Sequence, residues 1–316
     1  MNISVKQIRS FAEPAGVLGK IVQFPLVRTV IAILFVVVPV LVLKGLIDLV
    51  LDAIAEPAAS WIRDIFAIVR IAVAIYFYGL FVRFVEKRKA DEMSLSGSLS
   101  ETGWGIALGA ALMTVMVGLF WVLSYYRVES IGPVSIVIHG FFFFAFAALM
   151  EEVVFRVILF RHVEELIGSW GAIVLTGLLF GFVHQANPNA TTWTSTAIAL
   201  QSIIIAGCYV FTRRVWLVFG LHAGWNYFQS SIYGVSVSGA DEFDSLLVPS
   251  ISGPAWITGD KFGIEGSYVT TVLCLIIGIL LVMKASRMGQ LVGPLWVRKV
   301  KREAVLASSV DSGTTE

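Results

Sequence analysis

Residues 134–159 read VSIVIHGFFFFAFAALMEEVVFRVIL. From Val134 to Met150 there is one histidine and no formal charge, and then Glu151, Glu152 and Arg156 follow within six positions. As a helix rising about 1.5 Å per residue, the stretch is long enough to cross a hydrocarbon core of about 30 Å. A charge at mid-bilayer costs about 2.5–3.5 kcal/mol on insertion scales, so three of them need a reason. Glu152 and Arg156 are four apart, share a helix face and can pair, which lowers the cost of both. Glu151 lies about 100° round the helix and is not neutralised by that pair. A salt-bridged kink explains two of the charges; the third is a carboxylate free to work.

The rest of the chain fits a bilayer. Of its 316 residues 57% are hydrophobic and 14% charged, against roughly 25% charged in a soluble domain, and the mean hydropathy is +0.85. A net charge of +1 without a basic stripe gives no nucleic-acid partner. The two cysteines, Cys208 and Cys274, lie inside apolar runs and read as small buried hydrophobes, not as a disulfide or metal cluster.

Runs of about 20 apolar residues predict eight spans: Thr29–Leu43 (extended to about Leu51), Ile65–Val85, Gly103–Leu123, Val134–Leu159, Ser169–His184, Thr192–Phe211, Val215–Ile232 and Ser267–Met283. The expected fold is an all-α, polytopic bundle of about eight transmembrane helices. With the N-terminus inside and all eight crossing, seventeen of the 23 basic residues fall on the cytoplasmic side and four (Lys44, Arg63, Arg127, Lys261) outside, as the positive-inside rule requires. Both termini are then cytoplasmic, in a multi-pass protein of the plasma membrane. Residues 1–28 form a cytoplasmic segment, 29–285 the membrane domain with an outer connection at 233–266 that caps the bundle, and 286–316 a basic, disordered tail. No internal repeat is visible, which argues against an inverted-repeat transporter.

Other polar residues interrupt the apolar segments. His184 ends Phe180-Gly181-Phe182-Val183-His184, just before Pro188, and His222 stands four residues from Asn226. Taken singly, each histidine is an ordinary satisfied polar group. His139, His162 and Arg70 read as interfacial or cavity-facing. Together, a free carboxylate, two histidines and an amide on separate helices make a hydrolytic kit. A glutamate and a histidine can deprotonate one water, and a histidine and an asparagine can donate to the resulting oxyanion. Two histidines and a glutamate (Glu151, His184, His222) also match the ligand set of catalytic zinc, so metal-dependent and metal-free water activation both stay open. There is no H-E-x-x-H helix and no G-x-S-x-G elbow.

In order and spacing, Glu151-Glu152-x-x-x-Arg156, Phe180-x-x-x-His184 and His222-x-x-x-Asn226 resemble the three signature motifs of the CPBP family. This is the Abi, or CAAX-protease-and-bacteriocin-processing, group of intramembrane endopeptidases, which includes the prenyl-protein CAAX endopeptidase. The CPBP-like core covers about 134–232. The resemblance implies that Glu151 and His184 activate the attacking water, that His222 and Asn226 form the oxyanion site, and that Glu152 and Arg156 support Glu151. It implies a membrane-associated protein or peptide as substrate, CAAX-type prenylated chains included, and a polar cavity opening toward the cytoplasm. The competing expectation is a non-catalytic membrane scaffold or bacteriocin-immunity factor of the same fold. Counted from the cytoplasmic helix ends, Glu151 and His222 lie about 12–15 Å deep but His184 about 21 Å. Bringing them level calls for a tilted or late-starting fifth helix, or partial re-entry of 164–169.

Overall fold

The computed structural model describes residues 16–54, 56, 58–240 and 244–298; the expected disorder of 308–316 lies outside them. A short α1 (Gly16–Val22) precedes α2 (Pro25–Leu51), α3 (Ala58–Phe81) and α4 (Ser98–Val122). Strand β1 (Tyr126–Ile131) leads into α5 (Ser135–Glu152), which continues through the wider π-helical turns of Val153–Phe160 into α6 (Arg161–Val183). Then come α7 (Thr192–Thr212), α8 (Val215–Tyr227), β2 (Leu247–Ile251), the single turn α9 (Ala255–Thr258) and α10 (Tyr268–Arg287).

The all-α membrane bundle is borne out. All eight predicted segments are helical, and six continuous helices are long and apolar enough to cross a membrane. One of the six, Ser135–Ala186, contains two of the predicted segments. The share of each apolar window buried within the protein sets its place: 22% for α2 against 61% for α7, so α2 is peripheral and α7 central. The helices begin where the sequence supplies a start. Pro25 opens α2, Thr191 and Thr194 make a capping box for α7, and the Ser267 hydroxyl accepts from the first turn of α10, each meeting orphan N–H groups or dispensing with one.

Two features were not expected. The fourth predicted span does not end at Leu159: helix continues into α6 and breaks at Gly168 (φ 78°, ψ 173°). That is a left-handed backbone which glycine adopts without strain. The presumed cytoplasmic loop is thus buried helix, because its charges are paired. Glu164 takes two hydrogen bonds from Arg213, at 2.6 and 2.9 Å. His162, expected at an interface, is fully buried between Thr29 (3.0 Å) and Glu86 (2.9 Å). The tip of the hairpin is pinned by the chain after α10, where Ser169 and Val292 exchange two hydrogen bonds. Second, β1 and β2 pair as an antiparallel ribbon, tying the 233–266 connection to the chain between α4 and α5.

The closest helix contact carries half of the candidate site. A Cβ on Gly105 or Gly109 of α4 would fall 2.3–2.5 Å from carbonyl oxygens of Leu217 and Leu221 on α8. Reciprocally, one on Gly220 or Gly224 would fall 2.3–2.7 Å from Thr102 and Ile106 on α4. Two small-xxx-small stripes face each other, the arrangement that lets membrane helices pack backbone to backbone. His222 and Asn226 sit on α8 beside this contact.

Candidate active site

Glu151 and Glu152 stand where α5 widens into π-helical turns, a distortion frequent at functional sites. Arg156, one turn on, brings its Nε within 3.3 Å of Glu152 Oε2 as an ion pair. The other Glu152 oxygen lies 2.6 Å from His222 Nδ1. The carboxylate accepts that N–H, which fixes the ring and turns Nε2 outward. Nε2 lies 3.8 Å from Glu151 Oε2, and a water about 2.8 Å from each fits across that gap. Glu152 is completely buried, whereas the Glu151 side chain is 36% exposed. The two adjacent glutamates have different environments, as their angular separation predicted.

Phe180 organises the second motif. Its carbonyl accepts from His184 Nδ1 at 2.7 Å, leaving Nε2 of His184 without a hydrogen bond among the described residues. Its ring packs on the His184 ring (4.5 Å between centroids) and on Phe155 (4.9 Å), with the Arg156 guanidinium 4.6 Å over its face. His222 reaches its edge at 6.3 Å. Contact between Phe155 and Phe180 requires the chain to fold back at Gly168. The helix from α5 runs farther than expected, and its reversal brings Phe180, on which His184 packs, against Phe155, four residues from Glu151.

A narrow cleft is lined by His184, His222 and Asn226, together with Gln201, Ser238 and Glu265. Asn226 is buried against these helices, yet its side chain makes no hydrogen bond among the described residues, leaving its amide for a ligand. Glu151 is not in the cleft wall; it flanks His222 from the side. Among the described residues no group of three or more His, Cys, Asp or Glu side chains is arranged to hold a metal ion. The donor set offered to zinc therefore does not fit in this geometry, and no step below is routed through a metal.

Glu265, Ser238 and Gln201 were missed from the sequence. Gln201 on α7 donates to the Glu265 carbonyl (2.7 Å) and to Thr271 (2.9 Å). The Glu265 carboxyl accepts from the Ser238 backbone N–H and, at 3.4 Å, from Gln229, both on its Oε2. Burial pushes this carboxyl up to about 7. Glu265 sits in a Gly-rich connection and looks like a solvated loop acid; no local pattern marks it. Ser238 and Glu265 of the 233–266 connection thus form part of the cleft wall.

Fold and site together define an integral membrane protein with a carboxylate–imidazole centre inside its bundle. Residues 133–228 match the family model described as type II CAAX prenyl endopeptidase Rce1-like, which bears out the resemblance carried by the three motifs. The match takes in α5 through α8, hence all seven motif residues, and supports a CAAX-type intramembrane endopeptidase in general. No curated protein and no solved structure matches the chain.

Proposed function

We propose that this protein hydrolyses peptide bonds of membrane-associated proteins or peptides in the plasma membrane, with Glu151 as the base. The observation that carries this is the asymmetry of the glutamate pair. Glu152 is committed to Arg156 and His222, while Glu151 pairs with no arginine or lysine among the described residues and faces an imidazole nitrogen at 3.8 Å.

In the proposed step, a water held by Glu151 and a histidine gives its proton to Glu151 as its oxygen bonds to the scissile carbonyl carbon. The carbonyl electron pair moves onto oxygen, where the Asn226 amide and His222 Nε2–H donate to it. For Nε2 to donate, the ring carries both protons, a state that the charge-assisted bond to Glu152 favours. Collapse of the tetrahedral intermediate breaks the C–N bond, and Glu151 returns its proton to the leaving amine. His184, held by the Phe180 carbonyl, is the second imidazole able to orient the water. Arg156 holds Glu152 in place through their ion pair.

The test is a comparison of peptide termini in membranes of cells expressing the wild-type chain or Glu151→Gln at matched levels. New termini that need Glu151 establish proteolysis and name the substrate. Identical termini, with the protein's cellular phenotype intact in the variant, reject the proposal in favour of a scaffold.

A further inference from the structure

One buried acid in the cleft has no part in the hydrolysis proposed above. Glu265 lines the cleft with His184, His222 and Asn226, and the loop that carries it is shaped to put it there. Gly259 and Gly263 have positive φ (83° and 94°). A Cβ on Gly259 would fall 1.7 Å from the Gly263 carbonyl oxygen, and one on Gly263 would fall 1.8 Å from that of Ser236. Only glycine lets the chain close so tightly. Gln201 on α7 then ties down the Glu265 carbonyl.

The side chain is held as a neutral acid is held. The Ser238 backbone N–H and the Gln229 amide both donate to Oε2, and no lysine or arginine pairs with the carboxyl among the described residues. A carboxyl buried among neutral donors tends to keep its proton, in line with its titration at about 7. The titratable groups that face it are His222 on α8 and Cys274 on α10, with His184 of α6 in the same cleft; α7 presents the neutral Gln201. Because Oε2 is engaged as an acceptor, the proton belongs on Oε1, which neither of these two bonds uses. The cleft wall thus holds a hydroxyl donor in addition to the unengaged Asn226 amide.

We infer that Glu265 is a substrate-binding residue, whose Oε1–H donates a hydrogen bond to a backbone carbonyl of the peptide in the cleft, next to the bond that is cut. The inference rests on the protease reading and adds to it a contact with the main chain, indifferent to the substrate's side chains. Once ionised, Glu265 can only accept, and the contact is lost.

The test uses membranes of cells expressing wild type, Glu265→Gln, Glu265→Asp or Glu151→Gln at matched levels. They are incubated from about pH 6 to about pH 8.5, and the rate at which Glu151-dependent peptide termini appear is followed by mass spectrometry. Glutamine keeps a donor at every pH. The wild-type rate should therefore fall about tenfold further across the range than the Glu265→Gln rate, the worth of one hydrogen bond. Glu265→Asp draws the carboxyl back by one methylene and should be about tenfold slow already at the acid end, with no matching loss of folded protein. It keeps the test decisive if the glutamine variant does not fold. Parallel pH profiles for wild type and Glu265→Gln, or a wild-type rate for Glu265→Asp, overturn the inference. So does a Glu265→Gln rate that falls at lower pH than the wild-type rate. That sign belongs to a carboxylate acting only through His222, whose imidazolium a negative Glu265 favours. Absence of Glu151-dependent termini in wild-type membranes rejects the protease reading and the inference with it; termini that appear regardless of Glu265 reject the inference alone.

Discussion

Two groups of buried charge lie within this bundle, one at the arginine-rich, basic end and one beside the cleft, and they are built on opposite rules. At the basic end each carboxylate meets a guanidinium. Glu86 lies 2.7–3.2 Å from Arg28, Arg88 and Arg161 and 2.9 Å from His162. Glu92 pairs with Arg88 at 2.5 Å and accepts from the Tyr78 hydroxyl. Burial alone would push the Glu92 carboxyl up, but Arg88 beside it holds it below the usual carboxylate range. Beside the cleft, the neighbours Glu151 and Glu152 have one arginine near them, and it is committed to Glu152 and to the Phe180 ring. Burial of charge in a membrane helix is therefore not itself a mark of function. The balanced network staples α2, α3 and the α5–α6 hairpin together; the unbalanced one leaves Glu151 without a guanidinium partner among the described residues, 3.8 Å from His222.

Substitutions in the two regions should separate accordingly. Glu151→Gln removes the proposed base, and cleavage should fall by about 10²–10⁴-fold while the melting temperature in detergent stays at the wild-type value. A comparable loss of melting temperature would return Glu151 to the structural class. Glu86→Gln should do the reverse. Removing one partner of a buried ionic group costs about 3–5 kcal/mol, so the protein should melt earlier and yet cleave normally per folded molecule. Asn226→Ala deletes one oxyanion donor, for an expected drop in kcat of about 10²–10³-fold with KM little changed; a pure KM effect would mean that the amide binds ground-state substrate instead.

The smallest effect lies at Glu265. Its carboxyl titrates at about 7 in the folded protein, above the ordinary value, so the folded state keeps a proton which the unfolded chain has lost. Stability is then full below about pH 4.5 and declines as pH rises through 7. Wild-type melting temperature should fall over that window, and Glu265→Gln should flatten the fall. Parallel profiles would show that Glu265 is solvated.

The sequence announced what depends on composition and short spacing. Each of the eight apolar runs is helical in the structure, and the i, i+4 relation of Glu152 to Arg156 foretold their 3.3 Å contact. It did not announce what depends on distant partners. Arg161, His162 and Glu164 looked like a loop because their counter-charges, Glu86 and Arg213, lie about 50 to 75 residues away. The β ribbon pairs residues 126–131 with 247–251, and neither short strand alone outweighs its turn-rich surroundings. Glycines 105, 109, 220 and 224 lie in separate spans; only the docked helices show them to be one interface. Glu265 needed the folded connection before it could be seen beside His222 and Asn226.

The hairpin broken at Gly168 has one more consequence. Its two arms count off residues in opposite directions from one fixed point, so the alignment of Glu151 with His184 is a matter of rotational phase. Deleting one residue between Arg161 and Ile167 would turn one motif about 100° away from the other and slide it about 1.5 Å, with no site residue changed. Length changes compatible with activity are those that complete whole turns in both arms. The segment between the first two motifs thus works as a ruler: its content can vary, its length only in steps.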